Sequence, residues 1–155
     1  MSTGVRIGMV PARELAVTLD HGPASDIGRI VSAAFGTVAE HIARAGGRPH
    51  GPAVARFTMC ADGTFDVAAG FPVDEAFTGD GVVEPLTLPA TEVATTTFVG
   101  PYAELPRAYE RLRSEVAAMG RRLDDSAPMW EEYWSEPTAA PADTRTEVFW
   151  PVVPA

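Results

Sequence analysis

The feature that most constrains this chain is that it is written twice. VPARELAVTLDHGP at Val10–Pro23 and LPATEVATTTFVGP at Leu88–Pro101 align without a gap and share seven of fourteen residues. Average composition produces far fewer matches. The echo continues: FPV at Phe71–Val73 answers WPV at Trp150–Val152, and GPAVARF at Gly51–Phe57 answers APMWEEY at Ala127–Tyr133. The pseudo-repeats run over 5–73 and 86–153 within one domain of 1–155, and each reads strand, Gly-Pro, helix, strand, turn, strand.

Apolar spacing supports that order. Ile27, Ile30, Val31, Ala34, Phe35, Val38 and Ile42 form one helical stripe, and Leu105, Ala108, Tyr109, Leu112, Val116 and Met119 form another. Pro106 fits only a first turn, so the second helix is predicted to begin near Ala103 or Glu104. Gly46-Gly47 and Gly120 are the predicted stops. Among the strands, Leu15, Val17 and Leu19 are predicted to face inward, as are Ala55, Phe57 and Met59, and Phe65, Val67, Ala69 and Phe71. Asp62-Gly63 marks a hairpin. Val73–Leu88 reads as a linker and Ser135–Thr146 as a loop. The expected fold is α+β: a tandem strand-helix-strand-strand duplication, mainly antiparallel, with two main helices and a central ligand crevice between the halves.

The single Cys60 rules out an internal disulfide and a thiolate cluster. The net charge of −9 argues against direct nucleic-acid binding, which needs Lys and Arg for the phosphates. No apolar run reaches membrane-spanning length, and MSTGVRIGMV lacks a signal-peptide core, so a cytoplasmic setting without membrane contact is expected.

A duplication is its own control: where the copies differ in chemistry, one has been free to change role. Ala55 aligns with Glu131, Arg56 with Glu132, Phe57 with Tyr133 and Thr58 with Trp134. Period-two alternation turns Glu131 and Tyr133 inward and leaves Glu132 as ordinary surface. An inward carboxylate needs a partner or a raised pKa. One reading is a structural ion pair or hydrogen bond. The other is a carboxylate at the floor of an aromatic pocket, awaiting a cation. The predicted inward set of the second half, Thr95, Thr97, Tyr133, Thr146 and Trp150, is wetter and more aromatic than Val17, Leu19, Phe57, Val67 and Phe71 in the first, as suits a ligand cavity. Aromatic faces attract delocalised cations by ~0.5–2 kcal/mol per contact. Amphipathic cations are the ligands that this combination suits.

The duplicated unit, LPATEVATTTFVGPYAEL at Leu88–Leu105, WEEYWSEP at Trp130–Pro137 and TEVFWPV at Thr146–Val152 together resemble the GyrI-like family of small-molecule-binding domains. Those domains serve as effector-binding modules of transcription activators and also occur alone. The resemblance implies Glu131 as the acidic ligand contact, with Tyr102 and Tyr133 among the aromatic walls. Trp150, Phe57 and Phe71 complete the expected walls. The sequence lacks a recognisable DNA-binding domain, so a standalone binder is expected. One branch of the family resembles hydrolases that open cyclopropane rings of DNA-alkylating compounds. On that alternative Glu131 is general base, and Tyr133 or Tyr102 stabilises the oxyanion.

A protein-interaction module is the third reading. Phe98, Trp130, Trp134 and Phe149 are predicted to face outward together, as a homodimer patch. The remaining polar groups are read conservatively. His21 is expected to be a satisfied core residue, and Cys60 a passive one. The spacing of His21, His41 and His50 implies no metal site, and no cofactor is expected.

Overall fold

The computed structural model describes residues 4–74, 79–134 and 140–155. Among them are nine strands and two main helices in an α+β fold with a mostly antiparallel sheet. In chain order these are β1 (Arg6–Val10), β2 (Arg13–Gly22), α1 (Ile27–Arg44), β3 (Ala53–Met59), β4 (Phe65–Pro72), β5 (Glu84–Leu88), β6 (Thr91–Val99), α2 (Leu105–Ala118), β7 (Arg121–Leu123), β8 (Met129–Tyr133) and β9 (Arg145–Pro154). Among the described residues, no helix is long and apolar enough to cross a membrane. Two compact units emerge, Pro11–Ala90 and Met1–Val10 with Thr91–Ala155.

In the Pro11–Ala90 unit the strand order is β3-β4-β2-β5. The register pairs Ala16 with Phe71, Ala55 with Ala69 and Phe57 with Val67, which puts all six on one face. Helix α1 covers that face: Val38 and Ile42 pack with Ala16, Val83, Phe71 and Val73. The Phe35 and Phe71 rings lie 5.7 Å apart. The inward assignment of β2 is therefore shifted by one residue. Ala16 faces the helix, Leu15 and Val17 lie on the opposite face, and Leu19 is exposed. Leu15 and Val17 are nonetheless fully buried. A strand covered on both faces loses the apolar alternation from which parity is read. Gly70 marks the tightest approach: a Cβ there would lie 1.8 Å from the Ala16 carbonyl oxygen.

In the other unit the order is β1-β6-β9-β8, with β7 also on β9. Ala94, Thr96 and Phe98 on β6 pair with Trp150, Val148 and Thr146 on β9, and the last two pair in turn with Glu131 and Tyr133 on β8. Helix α2 lies on this face, where its Tyr109 meets Trp150 edge to face at 6.0 Å. Both helices stop at glycines in the left-handed region, Gly46 (φ 81°) and Gly120 (φ 75°). Ahead of α2 a short 3-10 turn spans Tyr102–Glu104, and Pro106 occupies the first turn as predicted. Met119 closes that helix exposed instead of buried.

The leading strands are exchanged. β1 precedes β2 in the chain yet pairs with β6, and β5 precedes β6 yet pairs with β2. Part of the predicted linker Val73–Leu88 is thus strand β5. Its Pro85 accounts for the missing strand signal, since proline breaks the ladder except at an edge. Residues 75–78 of that linker, and 135–139 of the predicted loop Ser135–Thr146, lie outside the described residues. The rest of the loop holds one 3-10 turn, Pro141–Asp143, and the start of β9.

Candidate functional site

Strand β8 carries the chemistry. Its alternation places Met129, Glu131 and Tyr133 on the face covered by α2. The aligned positions Ala55 and Phe57 hold the α1-covered face of the other unit, so the comparison of the copies predicted the side of Glu131 correctly. Glu131 is 5 % exposed. Its cross-strand neighbour is Val148, which is fully buried, and the residue beyond it is Thr96.

A carboxylate in such surroundings is stripped of water. Burial pushes the Glu131 pKa up to about 7, and the hydroxyl of Tyr133, which donates a 2.6 Å hydrogen bond to Oε1, pulls it partly back. Among the described residues, no Lys, Arg or His forms an ion pair with Glu131. At neutral pH the side chain is therefore split between neutral and charged forms, held in shape by one phenol. Burial raises the Tyr133 hydroxyl far above its ordinary value, and the Glu131 charge adds to the effect. Tyr133 thus remains a donor throughout the accessible pH range.

Tyr102, from the 3-10 turn before α2, sets its ring edge-on to Tyr133 at 6.0 Å. It remains 55 % exposed, and burial followed by the Glu131 charge raises its pKa. Glu131, Tyr133 and Tyr102 thus form one constellation. Thr146, opposite both Tyr133 and Phe98, is fully buried, and its hydroxyl has no hydrogen-bond partner among the described residues.

The other predicted walls have different surroundings. Trp150 shares the face with Glu131, but its indole N–H donates to the Asp124 carbonyl at 3.1 Å and Arg113 lies over its ring at 5.6 Å. These contacts hold the indole in place on that face. Phe57 and Phe71 belong to the Pro11–Ala90 unit, where Phe71 is part of the α1 core.

Several sequence expectations are corrected here. Thr95 and Thr97 lie on the face opposite Glu131, because they pair with Phe149 and Glu147. Phe98 takes their place on the Glu131 face. The predicted outward patch is not exposed: Phe98 lies on the Glu131 face, and Trp130 and Phe149, on the opposite face, are buried and stack at 5.5 Å. Trp134 alone of the four is exposed, with Arg145 over its ring at 5.3 Å. Glu132 is buried and not surface. Phe98 and Thr96 were missed because β6 is covered on both faces, which leaves no alternation to read.

Comparison with known proteins extends this picture. The model of the GyrI-like small molecule binding domain matches residues 3–153. No curated protein sequence matches the chain. Among solved structures, the C-terminal domain of EcmrR is similar at a TM-score of 0.73 and 18 % identity, covering 98 % of each chain. SAV2435 bound to tetraphenylphosphonium gives 0.70 and 13 %, covering 97 % of this chain and 94 % of that one. A hydrolase from Listeria innocua gives 0.71 and 15 %, covering 96 % and 91 %. At such identities these likenesses carry the fold alone. The family match, which spans nearly the whole sequence, carries more: this chain belongs to the GyrI-like family of small-molecule-binding domains.

Proposed function

We propose that the chain binds amphipathic, cationic aromatic small molecules, with Glu131 supplying the charge and Tyr133 and Tyr102 the aromatic surface. The observation that carries this reading is the buried Glu131 carboxyl, which has a phenol as its hydrogen-bond partner and no cation paired with it among the described residues. Burying a charge without a countercharge is costly. A lipophilic cation relieves that cost and brings its own hydrophobic surface. The orphaned Thr146 hydroxyl supports a polar or hydrated end to the site. The fold-level neighbour SAV2435 holds tetraphenylphosphonium, a cation of this class. Trp150, on the same strand face as Glu131, is proposed as a further wall residue. Lacking a second cysteine for an internal disulfide, the chain suits a reducing cytoplasm.

The test is calorimetric titration with tetraphenylphosphonium and with neutral triphenylphosphine oxide. Glu131→Gln is expected to weaken the cation at least about tenfold, ~1.4 kcal/mol, while hardly altering the neutral compound. Equal losses for both would remove the charge role.

One observation favours a second reading, hydrolysis with Glu131 as general base: a carboxyl with a pKa of about 7 is matched to proton transfer at neutral pH. Its substrates are cyclopropane-bearing alkylators. Mass spectrometry after incubation distinguishes the readings. A water-added product abolished by Glu131→Gln supports the enzyme, and recovery of intact compound supports the binder.

A further inference from the structure

A second group of reactive side chains lies in the Pro11–Ala90 unit, separate from Glu131 in the sequence and in chemistry. His21 on β2 and Asp66 on β4 are cross-strand partners, with His21 Nδ1 2.8 Å from Asp66 Oδ1. Cys60 follows β3, and its Sγ lies 4.0 Å from the same Nδ1. One ligand atom from each of the three falls within 4.8 Å of the others.

The hydrogen bonds behind His21 fix which of its nitrogens faces the group. The Thr64 hydroxyl has one proton, and it is directed at Asp62 Oδ1 at 2.5 Å. Its oxygen therefore accepts from His21 Nε2–H at 2.9 Å. That chain sets the tautomer and turns the Nδ1 lone pair toward the Asp66 carboxylate and the Cys60 sulfur. Two acceptors at 2.8 Å repel unless something positive stands between them, a proton or a metal ion. An imidazole oriented through its other nitrogen by a hydroxyl and a carboxylate is the usual outer support of a metal-binding histidine.

We infer that His21, Cys60 and Asp66 form a three-ligand site for a divalent transition metal of the zinc class, with its fourth position open to solvent. The donor set is one imidazole nitrogen, one thiolate and one carboxylate oxygen, the mixture that zinc accepts and that magnesium or calcium does not favour. A tetrahedral ion with bonds of about 2.0–2.3 Å holds its ligand atoms roughly 3.3–3.7 Å apart. The nitrogen–oxygen contact must open and the nitrogen–sulfur distance close by roughly half an ångström, and the carboxylate–sulfur separation, within 4.8 Å, closes by up to about an ångström through rotation of these partly exposed side chains. His21 and Asp66 are 52 % and 64 % exposed, which leaves room for an entering ion and a water. On binding, Cys60 releases its thiol proton to solvent and its sulfur bonds to the metal. The occupant ties together the ends of β2, β3 and β4.

The experiment titrates the full chain, reduced and metal-free, with Co²⁺ and follows the near-ultraviolet thiolate-to-cobalt charge-transfer band, then displaces Co²⁺ with Zn²⁺. One Co²⁺ per chain with such a band is expected, together with a zinc-dependent rise in unfolding temperature and protection of Cys60 from alkylation. Cys60→Ser should abolish the band, and Cys60→Ser and Asp66→Asn should each weaken zinc at least tenfold. Because these side chains are at or near the surface, unfolding temperatures without metal should stay close to that of the unmodified protein. Cobalt binding without a thiolate band, or zinc affinity unchanged in both variants, overturns the site.

Discussion

Tyr133 donates a 2.6 Å hydrogen bond to Oε1 of Glu131, two residues back on the same strand and on the same face. The bond favours the charged carboxylate and opposes the burial that would neutralise it. Tyr133→Phe removes that support, so the Glu131 pKa rises above about 7. The expected result is a cation-binding pH profile whose midpoint moves upward, with affinity at neutral pH lower by ~1 kcal/mol. Titrating tetraphenylphosphonium across pH checks it, and an unmoved midpoint counts against the coupling.

The same pair makes binding proton-linked. A bound cation favours the carboxylate, so Glu131 must be deprotonated in the complex. Affinity for tetraphenylphosphonium, whose charge does not titrate, should be flat above pH of about 7 and fall about tenfold per pH unit well below it. Calorimetry in buffers of different ionisation enthalpy should register the released proton. A flat profile between pH 5 and 8 would contradict a buried, titrating Glu131.

Stability should show the opposite trend. The folded-state pKa of Glu131 is raised from 4.5 to about 7, so between those values the folded chain holds more protons than the unfolded one. Its contribution is therefore most favourable at low pH and is lost as pH rises through that window, by on the order of 3 kcal/mol. Glu131→Gln keeps an acceptor for Tyr133 without the charge. Urea unfolding at pH 5 and pH 8 should show the variant gaining on the unmodified protein by ~2–3 kcal/mol at the higher pH.

Tyr102 and Trp150 separate ligand contact from packing. Tyr102 is largely exposed, so Tyr102→Ala should cost under ~1 kcal/mol of stability and mainly weaken the aromatic cation. Trp150 is tied to Tyr109, Arg113 and the Asp124 carbonyl, so Trp150→Ala should cost ~3–5 kcal/mol. Chemical denaturation beside ligand titration distinguishes the two. A large stability loss for Tyr102→Ala would place it in the core.

The duplication, both helices and the burial of Glu131 follow from the sequence alone. They are local or self-referential properties: a 3.6-residue stripe, a Gly-Pro, an Ala in one copy where the other has Glu. Tertiary structure decided the rest. β2 and β6 are covered on both faces, so only their neighbours reveal which residues face the helices. That moved Phe98 to the Glu131 side and Thr95 and Thr97 away from it. The exchange of β1 and β5 is equally invisible, because a strand carries no mark of which copy it will pair with. His21, Cys60 and Asp66 meet because antiparallel pairing brings positions 39 and 45 residues away to the same imidazole. Sequence spacing holds no trace of that meeting, since hydrogen-bond register sets it and residue type does not.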